Sequence, residues 1–167
     1  MGRELVVAWI GRHQRDRWEA LCAEYRERIA RFTPVRDLPV RPRVPGESRD
    51  PQERLRMEGA ALLQALPQPH LLIALDRRGA AWSSPALAGA LQKLRDEWPH
   101  PLVFALGSDL GLGAEVLDSA RQRWSLGPLT LPHELARLVV YEQLYRALSI
   151  GAGMHYHRGP SSPVDRD

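Results

Sequence analysis

Three short, unbroken apolar runs constrain this chain more than any other feature: Leu5-Val6-Val7-Ala8-Trp9-Ile10, the run over 70–76, and Leu102-Val103-Phe104-Ala105-Leu106. Runs of this length without polar alternation suit strands buried on both faces, as in parallel sheets. Helix signals lie between them. Asp16 followed by Glu19 marks a helix start, with Trp18, Leu21, Cys22, Tyr25 and Ile29 at helical spacing. Asp50-Pro51-Gln52-Glu53 combines an N-cap aspartate, a proline at the first helical position and an acid in the first turn, predicting a helix to about Leu66. Ser84-Pro85 opens another that reaches about Trp98, where Pro99 and Pro101 stop it. A short helix over 114–121 and a longer one after Pro132 complete the series.

Strand and helix therefore alternate, which predicts an α/β domain with a mostly parallel sheet and helices on both faces. The stretch over 35–44 holds Pro39 and Pro42, so a strand there is short or at an edge. Residues 45–50 read as a loop, Arg77-Arg78-Gly79 as a turn off the preceding strand, and Leu129-Thr130-Leu131 as a further short strand. One core is sufficient for 167 residues of which 44% are hydrophobic, so residues 1–158 are expected to form a single domain and 159–167, polar and Pro/Ser-containing, a flexible tail. No apolar run approaches the roughly 20 residues of a membrane span, and the opening residues carry no signal-peptide pattern. With Cys22 the only cysteine, disulfides and Cys-rich metal sites are not expected, which suits a reducing cytoplasm. Of 23 basic residues only Lys93 is a lysine. Arginine forks onto phosphate and stacks on bases, so nucleic acid is a candidate partner; GC-rich codon usage gives the same bias, and the interspersed acids equally make a solvated surface.

In an open α/β sheet, ligands gather at the carboxyl ends of the strands. Three loops qualify: the one after Leu75-Asp76, the glycine-bearing 107–113, and 124–131. The middle one matches neither GxGxxG nor a P-loop, so it reads equally as a plain strand-to-helix turn. His133-Glu134-Leu135-Ala136-Arg137 begins like HExxH, but Arg137 stands where the second zinc ligand belongs. His155 and His157 have no third ligand nearby, so no metal is expected. There is no G-x-S-x-G elbow, and Cys22 lies in a predicted amphipathic helix. On the helix after Pro132, Leu135, Leu138, Val139 and Tyr145 share a face with Glu142. Glu142 and Arg146 are spaced for an ion pair, while Arg137 or Arg146 near phosphate is the alternative.

The segments WSLGPLTLPHELAR (124–137), YEQLYRALSI (141–150) and HYHR (155–158), with the LD-x-x-G turn at 75–79, Trp82-Ser83-Ser84 and the strand ending in Gly107, resemble the ribosomal large-subunit methyltransferase H family. These are SPOUT-class enzymes that use S-adenosylmethionine. The resemblance spans residues 5–158. It implies a SPOUT fold whose C-terminal segment forms a deep trefoil knot, a homodimer with the active site at the subunit interface, and methylation of N3 of a pseudouridine in a hairpin loop of 23S rRNA on the assembled ribosome. It further implies that Leu75, Gly107, Leu126, Gly127, Pro128, Leu129, Thr130 and Leu131 surround the cofactor. His155, Tyr156, His157 and Arg158 are then expected beside the substrate. Methyl transfer needs donor and acceptor positioned and the N3 proton removed. His157 or His155 suits the base role, Arg158 or Arg137 would stabilise the anion, and Tyr156 with Arg137 would bind substrate. Where the family typically reads GGPEG, this chain has Gly107-Ser108-Asp109-Leu110-Gly111, and it continues past Arg158 to Asp167. A SPOUT enzyme acting on tRNA and a noncatalytic ribosome-binding homologue are the alternative readings.

Overall fold

A computed structural model describes residues 3–11, 16–42 and 50–157 of the chain. Arg158 and the tail after it, along with the 45–49 part of the expected loop, lie outside the described residues. The elements run β1 (Leu5–Ile10), α1 (Arg17–Ala30), β2 (Val35–Val40), α2 (Pro51–Ala65), β3 (Leu71–Ala80), α3 (Ser84–Glu97), β4 (Leu102–Leu106), α4 (Ala114–Ser119), β5 (Gln122–Trp124) and α5 (His133–Gly151). The sheet order is β2-β1-β4-β3-β5, and every strand pair is parallel.

The apolar runs form strands because both faces of the sheet are covered. Leu5, Val7 and Trp9 of β1, with Leu102, Phe104 and Leu106 of β4, enter a core shared with α1, α3 and α5. Val6, Ala8, Val103 and Ala105 point the other way, against Leu62 of α2 and Val116 of α4. The caps are those the residues announce: Asp16 accepts from the Glu19 amide at 3.0 Å and Asp50 from the Gln52 amide at 3.0 Å. Ser83, rather than Ser84, caps α3 by accepting from the Ala86 amide. β2, with Pro39 inside it, takes a sheet edge.

Two local expectations fail for physical reasons. Arg77-Arg78-Gly79 does not leave the sheet; β3 continues to Ala80 and pairs with β5 through a register shift between Leu75 and Ala80. A Cβ on Gly79 would sit on the Arg123 and Trp124 backbone, so only glycine admits this approach. The last strand is Gln122–Trp124, whereas residues 129–131 lie in a loop. Trp124 anchors the strand by packing in the core, while Gly127 at φ +112° and Pro128, which has no amide hydrogen, break the ladder before Leu129, which is 75% exposed.

Helix α5 fills the groove between α1 and α3. Its fully buried side is Arg137, Val140, Tyr141, Leu144, Ala147 and Leu148. At 3.6 residues per turn, Leu135, Leu138 and Val139 fall on the other side, where they are half-buried. The helix is thus apolar on two sides, only one of which this chain covers completely.

Candidate active site

The carboxyl ends of β3, β4 and β5 open onto a cavity of about 940 Å³. Residues 75–78 after the core part of β3, the 106–112 loop, Trp124, Leu126, Gly127 and the 129–133 segment line it, closed by Ala136 of α5. Parallel strands place three chain reversals side by side at this edge, which is why one cavity draws on segments far apart in sequence. The lining mixes leucines with exposed backbone and a few ionic groups: Asp76, Arg77, Arg78, Asp109 and His133.

Each wall is fixed locally. In the 107–113 loop, Gly107 lies against the backbone of Gly111, with no room for a Cβ, and Gly111 adopts φ +80°. The Gly111 amide donates to the Ser108 carbonyl at 2.9 Å, closing the turn, and the Leu110 amide donates to Ser108 Oγ at 3.2 Å. Asp109 is paired with Arg54 of α2, and that guanidinium holds its carboxyl below the usual aspartate range. The 125–132 loop is tied to β3 by the Ser125 amide donating to the Ala80 carbonyl at 2.9 Å. It is turned by Gly127, whose amide donates to Ser125 Oγ at 3.1 Å. An L side chain at φ +112° would be strained.

Of the residues expected around a cofactor, Leu75, Gly107, Leu126, Gly127, Leu129, Thr130 and Leu131 all line this cavity, and Pro128 sits in the same loop with its side chain outside the lining. The expected substrate group lies elsewhere. After α5 ends, the chain folds back along it. Tyr156 donates from its hydroxyl to Glu142 Oε1 at 3.2 Å and stacks edge-on against Tyr145, with ring centroids 4.6 Å apart. Arg146 lies over the Tyr156 ring at 4.8 Å, pairs with Glu142, and approaches His157 Nδ1 at 3.3 Å. Burial, with Tyr25 and Glu142 beside it, raises the Tyr156 phenol above its usual range. His155 is exposed. Glu142 thus collects Arg146, Tyr156 and the Gln143 amide, and Gln143 in turn accepts from Ser84 of α3 at 2.7 Å.

None of His155, Tyr156 and His157 lines the cavity of its own chain. Glu142, where Tyr156 is bonded, is nine residues from His133 at the cavity, or roughly 14 Å along the helix axis. Arg137, expected at substrate, is 5% exposed and held inside the core: it donates to Glu19 Oε2 at 3.2 Å and its guanidinium lies 4.3 Å from the Trp9 ring centroid. Buried and paired in this way, it is a structural residue of the α1/α5 contact. Two contributions were not assigned to the site from the sequence, where His133 was set aside with the incomplete HExxH and Glu58 was not singled out. His133 faces the cavity from the start of α5, and Glu58 of α2 accepts from Ser108 Oγ at 2.7 Å behind the 107–113 loop. A glutamate in mid-helix carries no sequence mark of such a contact.

The comparisons with known proteins fit this geometry. A family profile described as Predicted SPOUT methyltransferase matches residues 4–157. A ribosomal RNA large subunit methyltransferase H from Xylella fastidiosa is 41% identical over 137 residues, covering 82% of this chain and 86% of that protein. Another of that name from Xanthomonas euvesicatoria is 43% identical over 136 residues, covering 81% and 86%. Among solved structures, a probable methyltransferase from Bordetella pertussis Tohama I superposes with a TM-score of 0.54 at 18% identity, covering 88% of this chain and 96% of that one, a likeness of fold. With the parallel sheet, the cavity at its carboxyl edge and a profile match over nearly the whole chain, the protein belongs to the SPOUT methyltransferases and, within them, to the ribosomal RNA large subunit methyltransferase H family.

Proposed function

We propose that the chain is an S-adenosylmethionine-dependent methyltransferase of large-subunit ribosomal RNA that acts in the cytoplasm as a homodimer and methylates N3 of a pseudouridine in 23S rRNA. The observation that carries the reading is the cavity at the ends of β3, β4 and β5, in a chain whose relatives at 41% and 43% identity bear the methyltransferase name. Its volume lies within the roughly 300–1,000 Å³ of small-molecule sites, and its chemistry suits a nucleoside-bearing donor. Leu75, Leu126 and Leu131 offer apolar surface for a base, and the glycine turns at Gly107 and Gly127 put main chain rather than bulky side chains at the cavity wall.

S-Adenosylmethionine, when bound, supplies a methyl group already activated on a sulfonium. The chain's own residues bind that donor, exclude water and handle the proton at N3 of the acceptor. His157, or His155, takes this proton, and Arg158 stabilises the anion that remains. Since His155, Tyr156 and His157 do not line their own chain's cavity, a complete site is built when the partner subunit's C-terminal segment meets this cavity. The half-buried stripe of Leu135, Leu138 and Val139, which starts beside the cavity, is a fitting surface for that partner. Residues 1–158 then act as one catalytic domain, with the C-terminal segment in the trefoil knot typical of the class. Arg77 and Arg78, exposed at the cavity rim, are suited to meet RNA phosphate.

The direct test is mass spectrometry of 23S rRNA from a strain lacking the gene. N3-methylpseudouridine is expected to disappear and to return with a wild-type copy. An unchanged level would overturn the substrate assignment.

A further inference from the structure

We propose that Glu58 of α2 is a positioning residue for the methyl-donor site: it holds the 107–113 loop in the shape that forms one wall of the cavity. The inference rests on the proposed S-adenosylmethionine-dependent activity. α2 itself contributes nothing to the cavity lining, and Glu58 is 5% exposed. A carboxylate buried to that degree is tolerated only when hydrogen-bonded on its oxygens. Both are bonded: Oε2 accepts from Ser108 Oγ at 2.7 Å and Oε1 accepts from Arg54 Nε at 2.8 Å. The same Arg54 reaches on to Asp109. Two successive residues of the loop are therefore tied to α2 through one acid and one guanidinium.

The direction of these bonds matters. A carboxylate only accepts, so the single Ser108 hydroxyl proton is committed to Glu58. The hydroxyl's lone pairs are then left to accept from the Leu110 amide, at 3.2 Å, while the Ser108 carbonyl accepts from the Gly111 amide at 2.9 Å. Glu58 thus fixes the Ser108 side chain, and Ser108 fixes the two amides that follow, on residues lining the cavity. Ser108, Asp109 and Leu110 are the positions at which this loop departs from the GGPEG pattern, and the first two of them carry the tie to α2. The tie to α2 accompanies that departure: a loop lacking the usual residues is held from behind.

The test is calorimetric titration of S-adenosylmethionine into the full chain as wild type, Glu58→Gln, Ser108→Ala and Ser108→Thr. Thermal unfolding and separate KM values for S-adenosylmethionine and RNA accompany it. Glu58→Gln keeps the size but loses the acceptor-only character; Ser108→Ala removes the hydroxyl without touching α2. Both are expected to unfold cooperatively and to bind S-adenosylmethionine roughly tenfold more weakly, the scale of one lost charged hydrogen bond. KM for the donor should rise while KM for RNA and kcat at saturation stay as in wild type, and Ser108→Thr should restore binding. If folded Ser108→Ala and Glu58→Gln bind the donor like wild type, or if the two KM values rise together, the positioning role is wrong. Should wild type itself bind no S-adenosylmethionine, the activity reading falls and takes this inference with it.

Discussion

A Cβ placed on Gly107 runs into the Gly111 backbone, where the loop after β4 doubles back on itself. The neighbour is main chain, so it cannot swing aside as a flexible side chain would. Gly107→Ala is therefore expected to destabilise the fold by about 1–3 kcal/mol, the usual cost of forced overpacking, and to weaken S-adenosylmethionine binding at least tenfold. Chemical denaturation and calorimetry measure the two effects; unchanged binding would separate this loop from the donor site. Gly127 poses a different constraint, since nothing lies within 4 Å of its would-be Cβ and the obstacle is the backbone at φ +112°. Both glycines were visible in the sequence as loop residues at strand ends, because strand runs and turn residues are local signals. Arg137 was not legible in the same way. Its partner Glu19 lies 118 positions away, and its place over Trp9 depends on how α1 and α5 pack together on one face of the sheet. Helix periodicity alone leaves such a residue free to be core ion pair or phosphate ligand. Glu58 was hidden for the same reason, being distinguished only by what packs against it.

Among the elements, the strand-helix alternation survived intact because continuous apolar runs and caps such as Asp16 and Asp50 act within a few residues. The stretch over 122–131 was misread because Leu129-Thr130-Leu131 has the more strand-like pattern, whereas pairing with β3 selects Gln122–Trp124. That choice is tertiary: Trp124 finds Phe104 at 6.1 Å edge-on, while Leu129 faces outward. α5 and the segment folded back on it show what local spacing does deliver. Glu142 and Arg146 form the expected i,i+4 ion pair, and it has gained Tyr156 and His157 as further partners. Since the Tyr156 phenol is raised above its ordinary range, it stays protonated through neutral pH as a donor to Glu142 and titrates only in strong alkali. A change in the pH–rate profile around neutrality therefore does not come from Tyr156. Tyr156→Phe is expected to lower kcat several-fold by loosening the C-terminal segment, with donor affinity and the shape of that profile unchanged. With His157 as the proposed proton acceptor, His157→Ala should lower the single-turnover rate far more than Tyr156→Phe does. Single-turnover rates of the two variants decide between the roles, and a loss in Tyr156→Phe as large as that in His157→Ala would contradict the assignment.

At the scale of the whole molecule, the cavity at the strand ends and the C-terminal segment occupy separate places on one chain, with Tyr156 bonded two and a half helical turns from His133. Helix α5 carries both, and its half-buried stripe of Leu135, Leu138 and Val139 lies between. A two-fold pairing through this helix presents the same patch twice and generates two equivalent sites, each drawing its cavity from one subunit and its C-terminal residues from the other. Mixing two inactive variants distinguishes this arrangement from a site within one chain. Gly107→Ala disables the cavity and His157→Ala the C-terminal segment, so each homodimer has two defective sites. In a heterodimer, one site pairs the intact cavity with the intact C-terminal segment, while the other collects both lesions. With random exchange about half the dimers are mixed and half their sites are whole, so activity should return to about a quarter of wild type. If each site were contained in one chain, every site in the mixture would keep a lesion and activity would stay at the level of the separate variants. Co-expressing the two variants with different affinity tags, purifying the doubly tagged dimer and measuring methyl transfer to 23S rRNA reads this outcome directly, with half of wild-type activity expected for the pure heterodimer.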